Sequence, residues 1–143
     1  MPRTTQQRET HRRAMQLRRT ADPQAYRDYQ REYARNNVGR YLLRSARRTA
    51  LDRGLGFDLS EEWLEAKLAE NICEVSGIEF ETEIRSFGVP NPFVPSIDRI
   101  DPCGPYTAAN CRLVCWIYNR AKWLWTDEDM TKLALGLTEG ARQ

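Results

Sequence analysis

Two acidic side chains and one basic side chain stand close together in the segment PSIDRIDP, residues 95–102. Asp98 and Asp101 lie on either side of Arg99 within a short apolar run. Carboxylates beside an arginine can hold a metal ion next to a phosphate, or they can be a charged strand end that contributes little. The segment therefore raises the hypothesis of a metal site that cleaves phosphodiester bonds.

The elements around this segment are predicted to be a strand, a loop, a second strand and a helix. SIDRI and CRLVC are typical of short strands, and WIYNRAKWLW is typical of a helix. Asn119 and Lys122 are three residues apart on that helix and share one face. If the helix packs across the strands, Asn119 converges with Asp98. A carboxylate and a neutral oxygen are the minimum that Mg²⁺ needs from a protein, and the ion would neutralise charge on a phosphate.

The run PSIDRIDPCGPYTAANCRLVCWIYNRAK resembles the ββα-metal core of the HNH endonucleases, particularly the compact phage-type members. The resemblance comprises the Asp-Arg pair, a glycine and YT before an asparagine, an apolar strand and a final N-x-x-K, and it covers roughly residues 40 to 125. It implies an α+β fold in which an Arg-rich helical arm precedes the ββα-metal core and helices flank it. The implied activity is metal-dependent hydrolysis of phosphodiester bonds in DNA.

The same resemblance assigns roles to individual residues. Asp98 matches the metal-binding aspartate and Asn119 the second metal ligand, with Mg²⁺ or Mn²⁺ as the expected ion. Asn110 matches the asparagine that ties the loop to the strands, and Lys122 matches a basic residue that contacts phosphate. The candidate catalytic residues are Asp98, Arg99, Asn110, Asn119 and Lys122.

Arg99 is the position where the sequence departs from the family, which has a water-activating histidine there. An arginine side chain stays protonated near neutral pH, so it suits a phosphate clamp and not a general base. Another group or the metal ion must then activate water, or hydrolysis is slow or absent. Asp101 is the nearest replacement base, although it can equally be a turn residue before Pro102. The alternative is therefore a catalytically impaired HNH-fold protein that binds nucleic acid or acts as an inhibitor.

Positive charge is concentrated in the first part of the chain, although the net charge is only +2. Residues 1–56 hold 14 arginines, no lysine and 5 acidic residues, which is +9, whereas residues 57–143 carry −7. Because arginine suits phosphate oxygens, DNA is the expected partner. A solvated charged helix and an arm that docks on an acidic protein are the alternatives. The expected nucleic-acid-binding residues are Arg40, Arg44, Arg47, Arg48, Arg99 and Lys122.

Three regions are predicted along the chain. Residues 1–21 have almost no apolar content and are predicted to be a disordered basic arm. Residues 22–56 are predicted to be a basic helical extension that breaks at Asn36–Asn37 or at Gly39. Residues 57–143 are predicted to be the HNH-like domain.

Local signals predict the ends of the helices. Asp22 and Ser60 are predicted to cap helices, Thr126 is predicted to open a capping box, and Gly54 is predicted to end the basic helix. Periodic tyrosines on that helix favour packing over stacking on bases. Three tryptophans near the C-terminal end of the core motif are predicted to be buried in the core or at its junction with the basic helix: Trp116, Trp123 and Trp125.

The four cysteines form no C-x-x-C pair, and the single histidine, His11, lies far from them. Free thiols are therefore expected, and structural zinc is not favoured. Cys73 and Cys115 are predicted to lie close together as packed thiols. No apolar run approaches the roughly 20 residues of a membrane span, and no secretory signal is recognisable. The expectation is a soluble cytoplasmic protein without a membrane partner, in the host cytoplasm if phage-encoded.

Overall fold

The computed structural model describes residues 4–81 and 91–142, apart from the side chains of residues 30, 31 and 33–35. Two compact units are present, residues 1–38 and 39–143. Helices with one small two-stranded sheet confirm the predicted α+β class. The described elements are, in chain order, α1 (Thr5–Ala21), α2 (Pro23–Asn36), α3 (Val38–Asp52), α4 (Glu61–Glu70), β1 (Pro95–Arg99), β2 (Cys111–Cys115), α5 (Trp116–Lys122) and α6 (Asp127–Gly140).

The first unit consists of basic helices. Residues 1–21 were predicted to be disordered, whereas the structure has α1 over most of this region. The reason is local, because Thr4 and Gln7 form a capping box and the helix has no buried residue. Asp22 then caps α2 as predicted, since its Oδ1 accepts hydrogen bonds from the N–H groups of Gln24 and Ala25.

Helix α3 begins after a one-residue break at Asn37, one of the two predicted positions. Three of its residues in the second unit, Leu43, Ala46 and Ala50, are buried at helical spacing in the core of that unit. Gly54 ends the segment as predicted, with φ at +66°, the left-handed conformation that favours glycine. The basic helical region therefore supplies one face of the core.

Helix α4 and the segment after it contact strand β2 of the sheet described below. Ser60 caps α4 as predicted, and Leu64 is buried beneath it. The chain then turns at Gly77, with φ at +70°, so that Ile72 and Glu79 form an isolated antiparallel bridge. The strand that was predicted to follow lies partly outside the described residues. This segment brings a second layer of side chains against β2.

Strands β1 and β2 pair antiparallel, and α5 begins at the residue after β2 ends. The register places Asp98 opposite Arg112 and Arg99 opposite Cys111. The order of two strands and one helix is the predicted ββα arrangement. Its core consists of Leu43, Ala46, Ala50, Leu59, Leu64, Cys73, Phe80, Tyr106, Cys111, Leu113, Val114 and Cys115.

The tryptophans after this core do not fill it, and the predicted burial was wrong for Trp123 and Trp125. Trp123 is 65% exposed and Trp125 is 55% exposed, while Trp116 is half-buried. Helix α5 ends at Lys122 because the chain reverses at Trp123, where φ is +45°. The residues after the reversal therefore leave the core, and α6 starts at the predicted capping box of Thr126.

The helices of residues 4–81 and 91–142 include no segment that is long and apolar enough to cross a membrane.

Candidate active site

A cleft of about 330 Å³ opens between α3, β1 and α5. Three arginines and one carboxylate line it: Arg53, Arg99, Arg120 and Asp98. Its other polar lining comes from Ser45, Thr49, Ser96 and Asn119, and its aromatic lining from Tyr106, Trp116 and Trp123. The cleft is therefore basic and partly aromatic, and it contains the predicted ligand pair Asp98 and Asn119.

The Asp98 carboxylate is held by two cations inside the protein. Asp98 is 3% exposed. The Nε and Nη2 atoms of Arg112 donate to its Oδ2 at 3.0 and 2.8 Å. Lys122 Nζ lies 3.2 Å from both Oδ1 and Oδ2. Oδ1 thus accepts a single long bond among the described residues, and it is the oxygen with capacity left for another partner.

Lys122 is fully buried, which contradicts its predicted contact with phosphate. Its Nζ donates to the backbone oxygens of Arg99 at 2.6 Å and Ile100 at 3.1 Å, in addition to Asp98. A buried ammonium is tolerated only when its donors are paired, and here each finds an acceptor at the end of β1. Lys122 fixes the position of Asp98 and does not reach the cleft.

Arg112 and Asp127 complete this interior cluster, although neither residue was predicted to have a role. Arg112 Nη2 donates to Asp127 Oδ1 at 2.6 Å, and the Tyr118 hydroxyl donates to the same oxygen at 2.8 Å. Hydrogen bonds from Arg112 lower the pKa of Asp127 to about 2. Burial raises the pKa of Tyr118, and its bond to Asp127 adds to the rise. The strand register, which sets Arg112 opposite Asp98, was the signal that could have found the pair.

Asn119 projects from α5 toward β1. Its Nδ2 donates to Ser96 Oγ at 2.8 Å and to the Ile97 backbone oxygen at 2.9 Å. These bonds fix the orientation of the amide, because only the NH₂ end can donate. The Oδ1 atom has no hydrogen-bond partner among the described residues. Asn119 therefore presents an oxygen ligand whose direction is set by the strand.

Arg99 lies at the end of β1 with its guanidinium against the following loop. Nη1 donates to the Gly104 backbone oxygen at 2.9 Å, and the guanidinium carbon lies 4.8 Å from the centre of the Tyr106 ring. Stacking on an aromatic ring holds the planar group in one orientation. Arg99 is 8% exposed and lines the cleft, and its other N–H groups have no hydrogen-bond partner among the described residues.

Asn110 ties the loop of residues 101–105 to the strands. Its Oδ1 accepts from the Asp101 N–H at 2.9 Å, and its Nδ2 donates to the backbone oxygens of Asp101 and Pro105 at 3.1 and 2.9 Å. The Asp101 carboxylate accepts from the Cys103 N–H at 2.9 Å, so Asp101 has the turn role that was its alternative to a catalytic one. A Cβ at Gly104 would lie 2.7 Å from Asn110 Nδ2, which explains the glycine.

The chain is similar in structure to the rare-cutting HNH restriction endonuclease PacI, with a TM-score of 0.52 and 21% sequence identity. The match covers 71% of this chain and 78% of PacI. The chain has an HNH-like fold. No family model matches the sequence, and no curated protein matches it as a relative. At this identity the likeness establishes the fold, and the activity has to be argued from the site.

The HNH-like fold brings Asp98, Arg99 and Asn119 to one cleft, with Asn110 behind them. The arginines predicted on α3 are exposed but do not line this cleft: Arg40, Arg44, Arg47 and Arg48. Instead, the cleft face of α3 carries Ser45 and Thr49, and Arg53 lines the cleft from the turn directly after the helix. Arg53 was missed because the sequence does not show which helix face meets β1. The α3 arginines remain predicted contacts for nucleic acid at a distance from the site.

The donor set at this cleft fits a hard divalent cation. Asp98 Oδ1 and Asn119 Oδ1 are a carboxylate oxygen and an amide oxygen, the ligand types that Mg²⁺ prefers. Within the described residues, no group of three or more His, Cys, Asp and Glu side chains is arranged to hold a metal ion. An ion bound by Asp98 and Asn119 would thus keep most of its coordination for water and phosphate.

Cys73 and Cys115 lie together as predicted, at the junction of the 72–80 segment and β2. Both thiols are free and buried, and the Cys115 N–H donates to Cys73 Sγ at 3.3 Å. Burial raises the pKa of Cys115 to about 11. Burial would also raise the pKa of Cys73, but hydrogen bonds from Ser76 and from the Cys115 N–H lower it. The two side chains pack together between β2 and the segment of residues 72–80.

Proposed function

We propose that the protein is an HNH-type endonuclease that hydrolyses phosphodiester bonds in DNA with the help of a divalent metal ion, Mg²⁺ or Mn²⁺. The observation that carries this proposal is the cleft in which Asp98, Asn119 and Arg99 meet on an HNH-like fold. Oxygen ligands for a cation and arginines for phosphate are what such a reaction requires.

The roles of the side chains follow from their geometry. Arg53, Arg99 and Arg120 would hold phosphate oxygens, since guanidinium groups bind them through paired N–H donors. Asp98 and Asn119 would hold the ion, which when bound neutralises charge on the phosphate and stabilises the leaving oxygen. Lys122 and Arg112 fix Asp98 in place, and Asn110 fixes the loop that positions Arg99.

Charge balance indicates that metal and DNA bind together. The interior cluster pairs two cations, Lys122 and Arg112, with two carboxylates, Asp98 and Asp127. A divalent ion would add charge to a cluster that is already neutral. A phosphate in the cleft supplies the missing negative charge, so Mg²⁺ should raise the thermal unfolding temperature of the protein more with an uncleavable oligonucleotide than without it.

Exposed arginines outside the cleft support DNA as the polymer. The first 56 residues carry a net charge of +9, and α3 presents Arg40, Arg44, Arg47 and Arg48 to solvent. Contacts of this kind bind the sugar-phosphate backbone without reading sequence. They add affinity along a polymer, which a small phosphate ester could not use.

The test is incubation of the purified protein with supercoiled plasmid and Mg²⁺ or Mn²⁺, with nicking followed on a gel. Asp98→Asn should abolish nicking because it removes the negative charge of the carboxylate ligand, and Asn119→Ala should abolish it because it removes the amide oxygen. Asp58→Asn is the matched control, since it neutralises an exposed carboxylate that does not line the cleft. Circular dichroism confirms that each variant is folded. Nicking that survives in Asp98→Asn and Asn119→Ala would refute the proposal.

A second candidate is a DNA-binding protein of the HNH-like fold with impaired hydrolysis. It is favoured by Arg99, which cannot accept a proton and is fixed against Gly104 and Tyr106. Among the described residues that line the cleft, Asp98 is the single acidic side chain and histidine is absent. This candidate predicts salt-sensitive DNA binding without nicking, and a gain of nicking in Arg99→His.

A further inference from the structure

Trp123 has an unusual combination of backbone and environment. Its φ of +45° and ψ of −99° lie outside the regions that residues with a Cβ ordinarily adopt. This conformation forms the turn that ends α5 after Lys122. Hydrogen bonds from Trp123 N–H to Asn119 O and from Trp125 N–H to Lys122 O close the turn. Glycine is the usual residue at such a helix end.

Burial of the Trp123 side chain does not compensate for the strain of this backbone conformation. It is 65% exposed, whereas a large aromatic residue normally contributes to stability through burial. A tryptophan at a position that favours glycine, with its ring in solvent, therefore has no structural explanation within the second unit. Strained positions of this kind concentrate at functional sites.

Trp123 follows the last residue of α5 and lines the cleft together with two residues of that helix. Trp116 and Arg120 are four residues apart in α5, so they share its cleft face. The Arg120 guanidinium carbon lies 5.6 Å from the centre of the Trp116 ring. Arg53, in the turn directly after α3, also lines the cleft. The exposed indole is therefore at the mouth of a cleft whose charged lining is mainly arginine.

We propose that Trp123 stacks on an unpaired base of a nucleic acid strand whose phosphates lie along Arg53, Arg99 and Arg120. This inference rests on the proposed function and specifies its substrate: a single-stranded or locally unpaired stretch. Aromatic rings beside arginines are the usual means of binding single strands, because each base offers a face to stack on and each phosphate a charge.

Two observations favour an unpaired strand over an intact duplex. Bases inside a duplex already stack on their neighbours, so an indole gains a stacking partner only where a base is unpaired. The cleft volume of about 330 Å³ is that of a small-molecule pocket and admits a nucleotide-sized group. An apolar protein surface at Trp123 would leave the arginines of the cleft, Arg53, Arg99 and Arg120, without an anion, so it does not match the charge of the cleft.

The experiment measures binding of one labelled oligonucleotide sequence in three forms: single strand, duplex, and duplex with a central unpaired bubble. Fluorescence anisotropy across a salt series is compared for the wild type, Trp123→Ala and the control Trp125→Ala. Trp125 is similarly exposed but does not line the cleft. We expect Trp123→Ala to bind the single strand and the bubble about tenfold more weakly, which is the range of one stacked base. Its salt slope should not change, because no phosphate contact is removed.

Two further variants separate stacking from folding. Trp123→Gly should unfold at the same or a higher temperature than the wild type, because glycine tolerates positive φ, and should still lose binding. Trp123→Phe keeps an aromatic face and should restore most of the affinity.

The outcomes are distinct. Wild-type protein that binds none of the three oligonucleotides would overturn the proposed function together with this inference. Wild-type binding with Trp123→Ala unchanged would overturn the inference alone, as would equal losses in Trp123→Ala and Trp125→Ala. A change of oligomeric state in Trp123→Ala without a loss of binding, seen by gel filtration, would assign the loop to protein contact and also overturn it.

Discussion

Basic side chains occur in two different settings in the second unit. Lys122 and Arg112 lie inside, and together their donors bond two carboxylates and two backbone oxygens. Arg40 and Arg44 lie on α3 in solvent. The interior cations fix the geometry of Asp98, whereas the surface arginines are available to a polyanion. Charge therefore has a structural role in the interior and a proposed binding role at the surface.

The strongest test of this comparison is Lys122→Met. Removing this buried cation leaves Asp98 Oδ1 without a donor among the described residues and takes a donor from the backbone oxygens of Arg99 and Ile100, so we expect a loss of about 3 kcal/mol in the free energy of unfolding. Lys132→Met is the matched control, because Lys132 is exposed on α6 and should change stability by less than about 0.5 kcal/mol. Urea denaturation measures both. Equal effects would show that the interior cluster does not stabilise the fold.

A second pair of matched variants concerns two glycines, one in the loop beside the cluster and one in α6. Gly104→Ala would place a Cβ 2.7 Å from Asn110 Nδ2 and 3.1 Å from Asp101 Oδ2, so we expect a loss of about 2 kcal/mol. Gly136→Ala in α6 meets nothing within 4 Å and should gain up to about 1 kcal/mol from helix propensity. Thermal unfolding of the two variants should move in opposite directions. A neutral Gly104→Ala would contradict the close packing of Asn110 against this loop.

The dependence of stability on pH in the acid range tests Asp127, which lies at the edge of the cluster. Arg112 lowers the pKa of Asp127 in the folded state to about 2, below its ordinary value of 3.8. The stability from this carboxylate is therefore present above about pH 4 and is lost as pH falls toward 2. Because the Asp127 side chain is 42% exposed, we expect only about 1 kcal/mol after screening. Asp127→Asn should flatten this part of the curve, whereas the exposed neighbour Glu128→Gln should not.

The smallest expected effect on stability is at the surface arginines. Arg44→Gln should leave the free energy of unfolding within about 0.5 kcal/mol of the wild type. If Arg44 contacts a DNA phosphate, the slope of log affinity against log salt should fall by about 0.9. Arg142→Gln, at the far end of the chain, should leave the slope unchanged. An unchanged slope in Arg44→Gln would remove α3 from the proposed DNA surface.

Sequence reasoning succeeded where the signals are local. Ser60 and Thr126 cap their helices as predicted, because capping depends on residues within one turn. The two strands and the helix after them were also predictable from apolar patterns bounded by turn residues. Asn110, predicted from the family resemblance, ties the loop in the structure.

Sequence reasoning failed where the outcome depends on packing between distant elements. Lysine is usually exposed and tryptophan usually buried, so the sequence did not indicate that Lys122 would be buried and Trp123 exposed. The partnership of Asp98 with Arg112 depends on strand register, and the position of Arg53 beside the cleft depends on how α3 meets β1. Each of these is set by the whole fold and not by neighbouring residues.

The direct passage from Cys115 to Trp116 makes the sheet and α5 one continuous piece. An α-helix turns by about 100° per residue, so inserting or deleting a single amino acid at this joint would swing Asn119 to another side of the helix axis. The joint therefore cannot change in length without losing the site.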